Sequence, residues 1–416
     1  MKTLLILGAG TGGTIVANKM ARRLDSREWK VVVVDRDPWH LYQPGLLFLP
    51  FGMYQAEDMV KKRRRLLSKR VEFIFDQVEI IEPQANRIKV TGRAAAISYD
   101  ELVIALGCNI DPGETPGLKD GGWRKNIFDF YTLEGAVALG HCLRNWPGGR
   151  LVVNVAEMPI KCPVAPLEFL FLADWFFRQK GIRDKVDLIY ATPLSGAFTK
   201  PTATATLAGL LKQKGISVVP DFALSEVDNA RTRLLSYDNK EVGYDLLVTV
   251  PVNKGAEVIG RSEMGDELNY VETDKFTLQA KKWPNVWVIG DAADVPAAKA
   301  GSVAHFMADA LVDNLSHHIR GEALPAQFDG HANCFIESGF HRALLIDYSY
   351  NAEPLPGPFP LPVIGPFPML KESVINHWGK LFFRWLYWNQ LLPGRLPFPA
   401  HYRAPAGSAA EPAPHH

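Results

Sequence analysis

Near its amino end the chain reads Thr3-Leu4-Leu5-Ile6-Leu7, and Gly8-Ala9-Gly10-Thr11-Gly12-Gly13 follows directly. An apolar strand that runs into a glycine-rich turn and then a helix is typical of a dinucleotide-binding fold. Gly8 permits the tight turn, Gly10 lets the backbone approach a diphosphate, and Gly13 lets the helix pack closely. Asp35 ends the next apolar run, where a carboxylate can accept hydrogen bonds from a ribose.

The second half of the chain restarts the same pattern without its glycine turn. The apolar run Leu151–Val155 is followed by Ala156-Glu157-Met158-Pro159-Ile160-Lys161-Cys162-Pro163. A cysteine therefore stands where a nicotinamide dinucleotide would need backbone amides. This substitution favours a reductase that receives electrons from a thiol or sulfide over one that receives them from NADH.

The two halves also echo each other in their later strands. Lys30–Asp35 corresponds to Val186–Tyr190, and Tyr99–Ala105 corresponds to Tyr244–Val250. Apolar β-branched runs that alternate with helical patterns predict buried parallel strands, and hence an α/β fold of two doubly wound Rossmann-like domains. We expect an FAD-binding domain at 1–110 and 262–325, a second Rossmann-like domain at 111–261, a C-terminal region at 326–403 and a disordered tail at 404–416.

Composition excludes several classes of protein. The chain has 416 residues, four cysteines and a net charge of +1, which gives no support for nucleic-acid binding or a disulfide scaffold. The basic run Lys61–Arg65 is expected on the solvated face of a helix rather than at a partner site. CxxC spacing is absent, so no metal site is predicted. No apolar run reaches the ~20 residues of a spanning helix, and no cleavable signal peptide is expected, because the first strand begins at Lys2.

Two further segments favour FAD over NAD. Leu102–Gly107 resembles the "ATG" strand of two-dinucleotide-binding flavoproteins, and Asn285–Ala293, with Gly290 and Asp291, resembles their second FAD motif. The resemblance implies that Asp291 binds the ribityl chain. Gly301 begins a helix whose amino end can stabilise negative charge on a reduced flavin ring. Lys299 could act there as a point charge, or be an ordinary surface lysine.

Non-covalent FAD is expected because no cysteine lies around Tyr42–Pro44 or at Tyr131, where relatives attach the flavin. Cys162 precedes a predicted helix at Leu167–Arg178, whose dipole would lower the thiol pKa. From the residues alone, Cys162 and Cys334 could equally be small buried hydrophobes.

Four segments resemble the sulfide:quinone oxidoreductases: Cys162–Glu168, Ala332–Phe335, Asp347–Pro354 and Tyr387–Gly394. With the FAD motifs, the resemblance covers residues 2 to about 395. It implies a glutathione-reductase-like architecture and a monotopic membrane flavoprotein. The enzyme would oxidise sulfide to sulfur or polysulfide and pass the electrons to quinone.

The same resemblance implies a redox disulfide between Cys162 and Cys334. Glu168 would be a proton carrier near Cys162, or else a carboxylate on the helix surface. A third family cysteine and a nearby histidine are missing from Phe128–Gly135, which implies a two-cysteine variant. Cys108 and Cys142 match no family motif and are expected to be structural.

Residues Met369–Leu392 are rich in Trp and Phe and are punctuated by Lys and Arg. Such a segment is typical of an amphipathic helix lying in a membrane interface, although packing on the protein's own core or on a dimer partner would also account for it. A homo-oligomer is left open.

Three other functions stay open at this stage. A type II NADH:quinone oxidoreductase is disfavoured by the missing second glycine turn. The flavin subunit of a flavocytochrome c-type sulfide dehydrogenase is disfavoured by the aromatic C-terminal segment. A non-enzymatic flavin redox sensor would be revealed by a lack of sulfide turnover.

Overall fold

The computed structural model describes residues 1–360 and 365–396. The α-helices in these ranges are α1 (Thr11–Arg23), α2 (Leu133–Asn145), α3 (Ala165–Gln179), α4 (Pro201–Gln213), α5 (Glu257–Arg261), α6 (Gly301–Ile319) and α7 (Val374–Leu386). The strands are β1 (Lys2–Leu7), β2 (Trp29–Asp35), β3 (Trp39–Leu41), β4 (Val60–Lys62), β5 (Val71–Phe75), β6 (Val78–Glu82), β7 (Arg87–Val90), β8 (Ile97–Ser98), β9 (Glu101–Ile104), β10 (Cys108–Asp111), β11 (Ile127–Phe128), β12 (Gly149–Val155), β13 (Val186–Ala191), β14 (Ile216–Val219), β15 (Leu224–Asp228), β16 (Arg233–Ser236), β17 (Glu241–Gly243), β18 (Leu246–Val250), β19 (Val252–Gly255), β20 (Val271–Glu272), β21 (Val286–Val288), β22 (Ala293–Asp294), β23 (Ala332–Gly339), β24 (Arg342–Tyr348), β25 (Gly357–Phe359) and β26 (Phe367–Met369).

The first sheet is parallel, with the strand order β21-β9-β1-β2-β5. β1 lies at its centre, where Leu5 is opposite Val32 on one side and Leu102 on the other. The central strands β1, β2 and β9 are almost entirely buried, as expected where helices cover both faces of a doubly wound sheet, whereas the edge strand β5 alternates buried and exposed residues. The glycine turn after β1 leads directly into α1.

The second sheet is also parallel, with the order β11-β18-β12-β13-β14. β12, β13 and β18 repeat the arrangement of β1, β2 and β9 in the first sheet, as the sequence echo predicted. The prediction of Rossmann-type α/β domains is therefore confirmed.

The chain returns to the first sheet after completing the second. β21 pairs with β9, although the whole second sheet lies between these strands in the sequence. This order agrees with one domain inserted into the other, while the exact domain boundaries stay predictions. The predicted tail 404–416 and residues 397–403 of the C-terminal region lie outside the described residues.

The C-terminal region adds an antiparallel hairpin, β23–β24, in which Cys334 is opposite Ile346. Helix α7 packs against both strands of this hairpin, and α3 packs against β23 from the second domain. Among the described residues, no helix has the length and apolar character needed to cross a bilayer.

Candidate active site

The glycine turn after β1 forms an open cradle. Gly8 has a φ of +95°, and a Cβ atom there would lie 2.5 Å from the carbonyl oxygen of Ala105. A Cβ on Gly13 would lie 1.9 Å from the carbonyl oxygen of Gly8, so strand and helix meet too closely for a side chain. At Gly10, by contrast, an added Cβ would meet no atom within 4 Å. The turn is closed toward the protein and open where a dinucleotide diphosphate would approach, and the residues therefore fit FAD.

Asp35 lies beside this turn. One of its carboxylate oxygens accepts a hydrogen bond from the Ala9 N–H at 2.6 Å, and the other accepts from the Asp37 N–H at 2.9 Å. The Arg63 guanidinium lies 3.4 Å from the same carboxylate. Asp35 thus fixes the turn, and its assignment to the ribose stays a prediction.

The prediction for the basic run Lys61–Arg65 is wrong about the helix and right about exposure, since Lys61, Lys62, Arg64 and Arg65 are exposed. Its residues form β4 and a short 3-10 turn instead of a solvated helix face. Arg63 is largely buried because it donates hydrogen bonds to the Ala9 and Asp37 carbonyl groups as well as pairing with Asp35. Sequence reasoning therefore missed Arg63, which lies in the middle of a run of charged residues, as a residue that supports the glycine turn.

The segment around Asp291 borders the other side of the cradle. Gly107 and Gly301 each leave open space where a side chain would be, and Gly290 has a φ of +69°. Burial raises the pKa of Asp291, and the Lys299 ammonium opposes that rise. All of these residues adjoin the expected flavin site, and their contacts with FAD stay predictions.

Lys299 is not the surface lysine that the sequence left open. It is buried and donates hydrogen bonds to the carbonyl oxygens of Asp291 and Ala293, each at 3.0 Å. Its ammonium also lies 4.0 Å from the centre of the Tyr270 ring. Burial lowers the pKa of Lys299, although Asp291 acts in the opposite direction.

Backbone and side-chain hydrogen bonds bring the two cysteine segments to this border. The Cys162 N–H donates to the carbonyl oxygen of Lys299 at 2.7 Å. The Ser302 hydroxyl, in the first turn of α6, donates to the carbonyl oxygen of Asn333 at 2.8 Å. Cys162 and the residue before Cys334 are thus each tied to the segment that leads into α6.

Cys162 occupies the connection between β12 and α3, where the missing glycine turn would be. Its φ is +45°, a left-handed conformation that is uncommon for a residue with a side chain. Its carbonyl oxygen accepts hydrogen bonds from the Ala165 N–H at 2.9 Å and from the Tyr131 hydroxyl at 3.4 Å. Strain of this kind is concentrated at functional sites and persists where the surrounding contacts hold the backbone in place.

Both cysteines are partly exposed, and their sulfur atoms interact electrostatically with each other, with Glu168 and with Lys380. The structure holds both cysteines as free thiols. Burial raises the pKa of Cys334 to about 12 and raises that of Cys162 as well, and Lys380 opposes both shifts. The expected lowering of the Cys162 pKa by a helix dipole is therefore wrong, because desolvation outweighs it. α3 also begins at Ala165 rather than at Leu167.

Glu168 and Lys380 form a buried ion pair with an N–O distance of 2.6 Å. Glu168 is 1% exposed, which rules out the alternative of a helix-surface carboxylate. Its carboxylate also accepts a hydrogen bond from the Glu337 N–H at 2.7 Å, while Lys380 donates to the Phe335 carbonyl oxygen at 2.7 Å. The pair therefore joins α3 of the second domain, strand β23 and helix α7.

The pKa values of the pair follow from this burial. Burial raises the pKa of Glu168, against the influence of Lys380. Burial acts against the charged form of Lys380, yet Glu168 and Cys162 keep its pKa above the usual value. A buried carboxyl group beside two thiols, with a pKa raised above its usual value, is a candidate for a general acid–base group.

Helix α7 exposes one face and buries the other. Trp378, Phe382 and Trp385 are 63%, 54% and 50% exposed, and Phe382 stacks on Trp385. The opposite face buries Asn376 and His377, and His377 lies 2.9 Å from the buried Glu337. The helix is thus amphipathic as predicted, with one face packed on the protein and the other exposed, and its place in a membrane interface stays a prediction.

Known proteins were compared with the chain. The family model of pyridine nucleotide-disulphide oxidoreductases matches residues 2–141. The mitochondrial sulfide:quinone oxidoreductase of Mus musculus is 28% identical over 96% of this chain and 88% of its own length. The solved sulfide:quinone oxidoreductase of Aquifex aeolicus superimposes with a TM-score of 0.77 at 21% identity, covering 94% of this chain and 92% of its own. A type II NADH:quinone oxidoreductase of Staphylococcus saprophyticus is 26% identical over only 29% of each chain.

This chain is similar to the sulfide:quinone oxidoreductases over more than nine-tenths of its length. It is accordingly an oxidoreductase of the flavoprotein class with Rossmann-type domains. The similarity to the sulfide:quinone oxidoreductases extends over nearly the whole chain, whereas the similarity to the type II NADH enzyme does not.

The sulfide:quinone oxidoreductase resemblance assigned no role to the remaining two cysteines. Cys108 is buried on β10, with its sulfur 4.0 Å from the Asn253 side-chain oxygen, and burial raises its pKa to about 12. Cys142 lies half-buried on α2. In the described part of the chain, no cluster of potential metal ligands is present. Structural roles for Cys108 and Cys142 stay predictions.

Sequence reasoning placed Lys380 only among the basic residues of the aromatic C-terminal segment and gave it no role at the site. Its signal was its place on α7, since Asn376, His377 and Lys380 recur at helical spacing and share the buried face. In an aromatic and basic helix, such a polar stripe is indistinguishable from a solvated face until the partner carboxylate is known. That partner, Glu168, lies in the second domain.

Proposed function

We propose that this protein oxidises sulfide through Cys162 and Cys334, with non-covalently bound FAD as the electron carrier and a membrane quinone as the acceptor. The observation that carries the proposal is the hydrogen bond from the Cys162 N–H to the Lys299 carbonyl oxygen, at 2.7 Å. It ties the cysteine that replaces the second glycine turn to the segment that borders the expected flavin site. The mouse and Aquifex aeolicus proteins that this chain resembles are sulfide:quinone oxidoreductases, which supports the choice of sulfide and quinone.

When bound, FAD supplies a two-electron acceptor at this border. The chain's own residues supply the sulfur chemistry. In the oxidised form of the pair, hydrosulfide forms a bond to one sulfur, the disulfide bond breaks, and the partner cysteine leaves as a thiolate. The proton of the hydrosulfide can pass to Glu168, whose raised pKa suits it to hold one. The Lys380 ammonium stabilises the departing thiolate, because its charge favours the ionised form of both thiols.

The raised pKa values of the two thiols bear on the same step. Desolvation makes the thiols hard to ionise, so a stable thiolate requires the nearby cation.

The exposed face of α7 supports a membrane-surface location. Three aromatic side chains that are at least half exposed line one side of the helix, and an open groove of about 530 Å³ lies beside them. Lys61 and Arg384 also line that groove. Aromatic rings with flanking cations are typical of helices that lie in the membrane interface. A quinone dissolved in lipid would therefore reach the protein at the exposed face of α7.

The direct test is turnover of the purified protein with a soluble quinone. Sulfide is expected to support quinone reduction, and NADH is not. Reduction with NADH at a rate equal to or above that with sulfide would instead favour the type II NADH:quinone oxidoreductase. Acid precipitation is expected to release free yellow FAD, and flavin retained in the pellet would contradict non-covalent binding.

A further inference from the structure

The Tyr387 hydroxyl links the C-terminal end of the described chain to the glycine turn. Tyr387 begins a π-helical turn, Tyr387–Leu391, that follows α7, and its side chain is buried. Its hydroxyl oxygen lies 2.7 Å from the Thr11 hydroxyl oxygen and 2.6 Å from His40 Nε2. Two side chains from the first domain therefore meet one side chain from the last segment.

The charge state of His40 fixes the direction of these hydrogen bonds. Burial, together with the Arg63 charge, lowers the pKa of His40 to about 3, so its ring is neutral and has one donor and one acceptor nitrogen. Nδ1 lies 3.1 Å from the Ala9 carbonyl oxygen, which can only accept, so Nδ1 donates. Nε2 then accepts from the Tyr387 hydroxyl, and the Tyr387 oxygen accepts from the Thr11 hydroxyl.

The resulting chain of hydrogen bonds begins and ends on the glycine turn. Thr11 and Ala9 flank Gly10, the residue whose open side faces the space for a diphosphate. The Thr11 hydroxyl is used by Tyr387, which leaves the Thr11 N–H, at the start of α1, for an anion. Tyr387 and His40 thus form hydrogen bonds with the residues on either side of Gly10, Thr11 and Ala9.

Further contacts hold the C-terminal segment on α1. The Asn18 side chain donates a hydrogen bond to the Leu392 carbonyl oxygen at 2.9 Å. The Arg22 guanidinium donates to the carbonyl oxygens of Pro393 and Gly394, each at 2.9 Å. The segment therefore follows the helix whose amino end begins the cradle.

We propose that Tyr387 is a positioning residue for the FAD diphosphate site, and that flavin affinity depends on this C-terminal turn. The inference rests on the proposed function only for the identity of the cofactor. Through His40, the tyrosine hydroxyl helps to hold the Ala9 carbonyl group, which also accepts hydrogen bonds from Thr14 and Arg63. It holds Thr11 directly. A turn that is held in this way loses less conformational entropy when it binds a diphosphate, which favours binding.

The test is the FAD affinity of a Tyr387→Phe variant. This substitution keeps the ring contacts with Tyr42 and Trp388 and removes only the hydroxyl. The matched control is Tyr244→Phe, because the Tyr244 hydroxyl is also buried but has no hydrogen-bond partner among the described residues. Apoprotein is prepared by dialysis against concentrated bromide, and FAD is titrated back by the quenching of its fluorescence. Loss of two buried hydrogen bonds is expected to raise the Kd of FAD about tenfold, and the control should stay within about twofold.

A Thr11→Val variant tests the same hydrogen bond from the other end. It should weaken FAD binding to a similar extent, and adding it to Tyr387→Phe should cause less than the product of the two separate effects. A Kd for Tyr387→Phe within twofold of the wild type, or an equal loss in Tyr244→Phe, would overturn the proposal. Failure of sulfide to reduce the wild-type flavin would contradict the proposed function and leave the affinity result standing.

Discussion

The Lys380 ammonium lies 2.6 Å from the Glu168 carboxylate, in the buried space beside Cys162 and Cys334. The two residues come from helices that are far apart in the sequence, α7 and α3. Burying an ion pair of this kind costs desolvation energy for both charges. Removing only one partner is strongly destabilising, because the other charge stays buried without compensation. The pair therefore connects the aromatic C-terminal helix to the chemistry of the thiols.

This ion pair gives the first prediction. A Lys380→Met variant leaves a carboxylate buried without its cation, so we expect the holoenzyme to lose about 3 kcal/mol of unfolding free energy. Replacing Glu168 by Gln in the same chain should restore much of that loss, because the unpaired charge is removed. Thermal unfolding of the two single variants and the double variant measures the coupling. Lys212→Met on the exposed side of α4 is the control, and strictly additive effects would contradict the pairing.

The second prediction concerns Glu101 in the first sheet. Burial raises its pKa from 4.5 to about 7, although the Trp287 N–H donates to its carboxylate at 3.0 Å. Because the folded pKa is above the unfolded one, the contribution of Glu101 to stability is present below about pH 4.5 and is lost as pH rises through 7. A Glu101→Gln variant keeps an acceptor for Trp287, so it should gain up to about 3 kcal/mol over the wild type between pH 4.5 and 8.

Melting temperatures of the wild type and of Glu101→Gln, measured across that pH range, check this prediction. The exposed Glu72 of β5 supplies a matched Glu→Gln control, whose melting temperature should follow the wild type at every pH. A constant difference between Glu101→Gln and the wild type from pH 5 to 8 would show that the Glu101 pKa is not raised.

The third prediction concerns the free face of α7. Changing Trp378, Phe382 and Trp385 to Ser together should weaken binding to lipid vesicles about 100-fold, because the apolar surface that would enter the interface is removed. The FAD content should be unchanged, since the buried face of the helix is untouched. Flotation with liposomes measures the effect. The control replaces two aromatic residues exposed elsewhere, Tyr237 and Phe276, by Ser. Equal flotation of the triple variant and the wild type would place the attachment on another surface.

Much of the fold was readable from local patterns. The strand Thr3–Leu7, its glycine turn and the echo at Leu151–Val155 predict two parallel sheets, because each signal lies within a few neighbouring residues. The cysteine in place of the second turn was readable for the same reason.

The partners of the candidate site were not readable in this way. Lys380, Arg63 and Tyr387 each act on residues that are distant in the sequence, and each lies in a stretch that looks like a charged or aromatic surface. The helix-dipole argument for Cys162 failed because a dipole can be read from the sequence, whereas the degree of burial, which dominates the thiol pKa, depends on the packing of three separate elements.

Anaerobic stopped-flow mixing of sulfide with cysteine variants tests the central proposal most directly. The bleaching of the flavin visible band is followed in the wild type and in four Cys→Ser variants, at positions 108, 142, 162 and 334. A disulfide is an electrophile for hydrosulfide and a single thiol is not, so losing either partner removes the reaction. We expect rapid bleaching in the wild type, Cys108→Ser and Cys142→Ser, and bleaching at least about 1,000-fold slower in Cys162→Ser and Cys334→Ser. Rapid bleaching in either of the last two would contradict a mechanism through this cysteine pair.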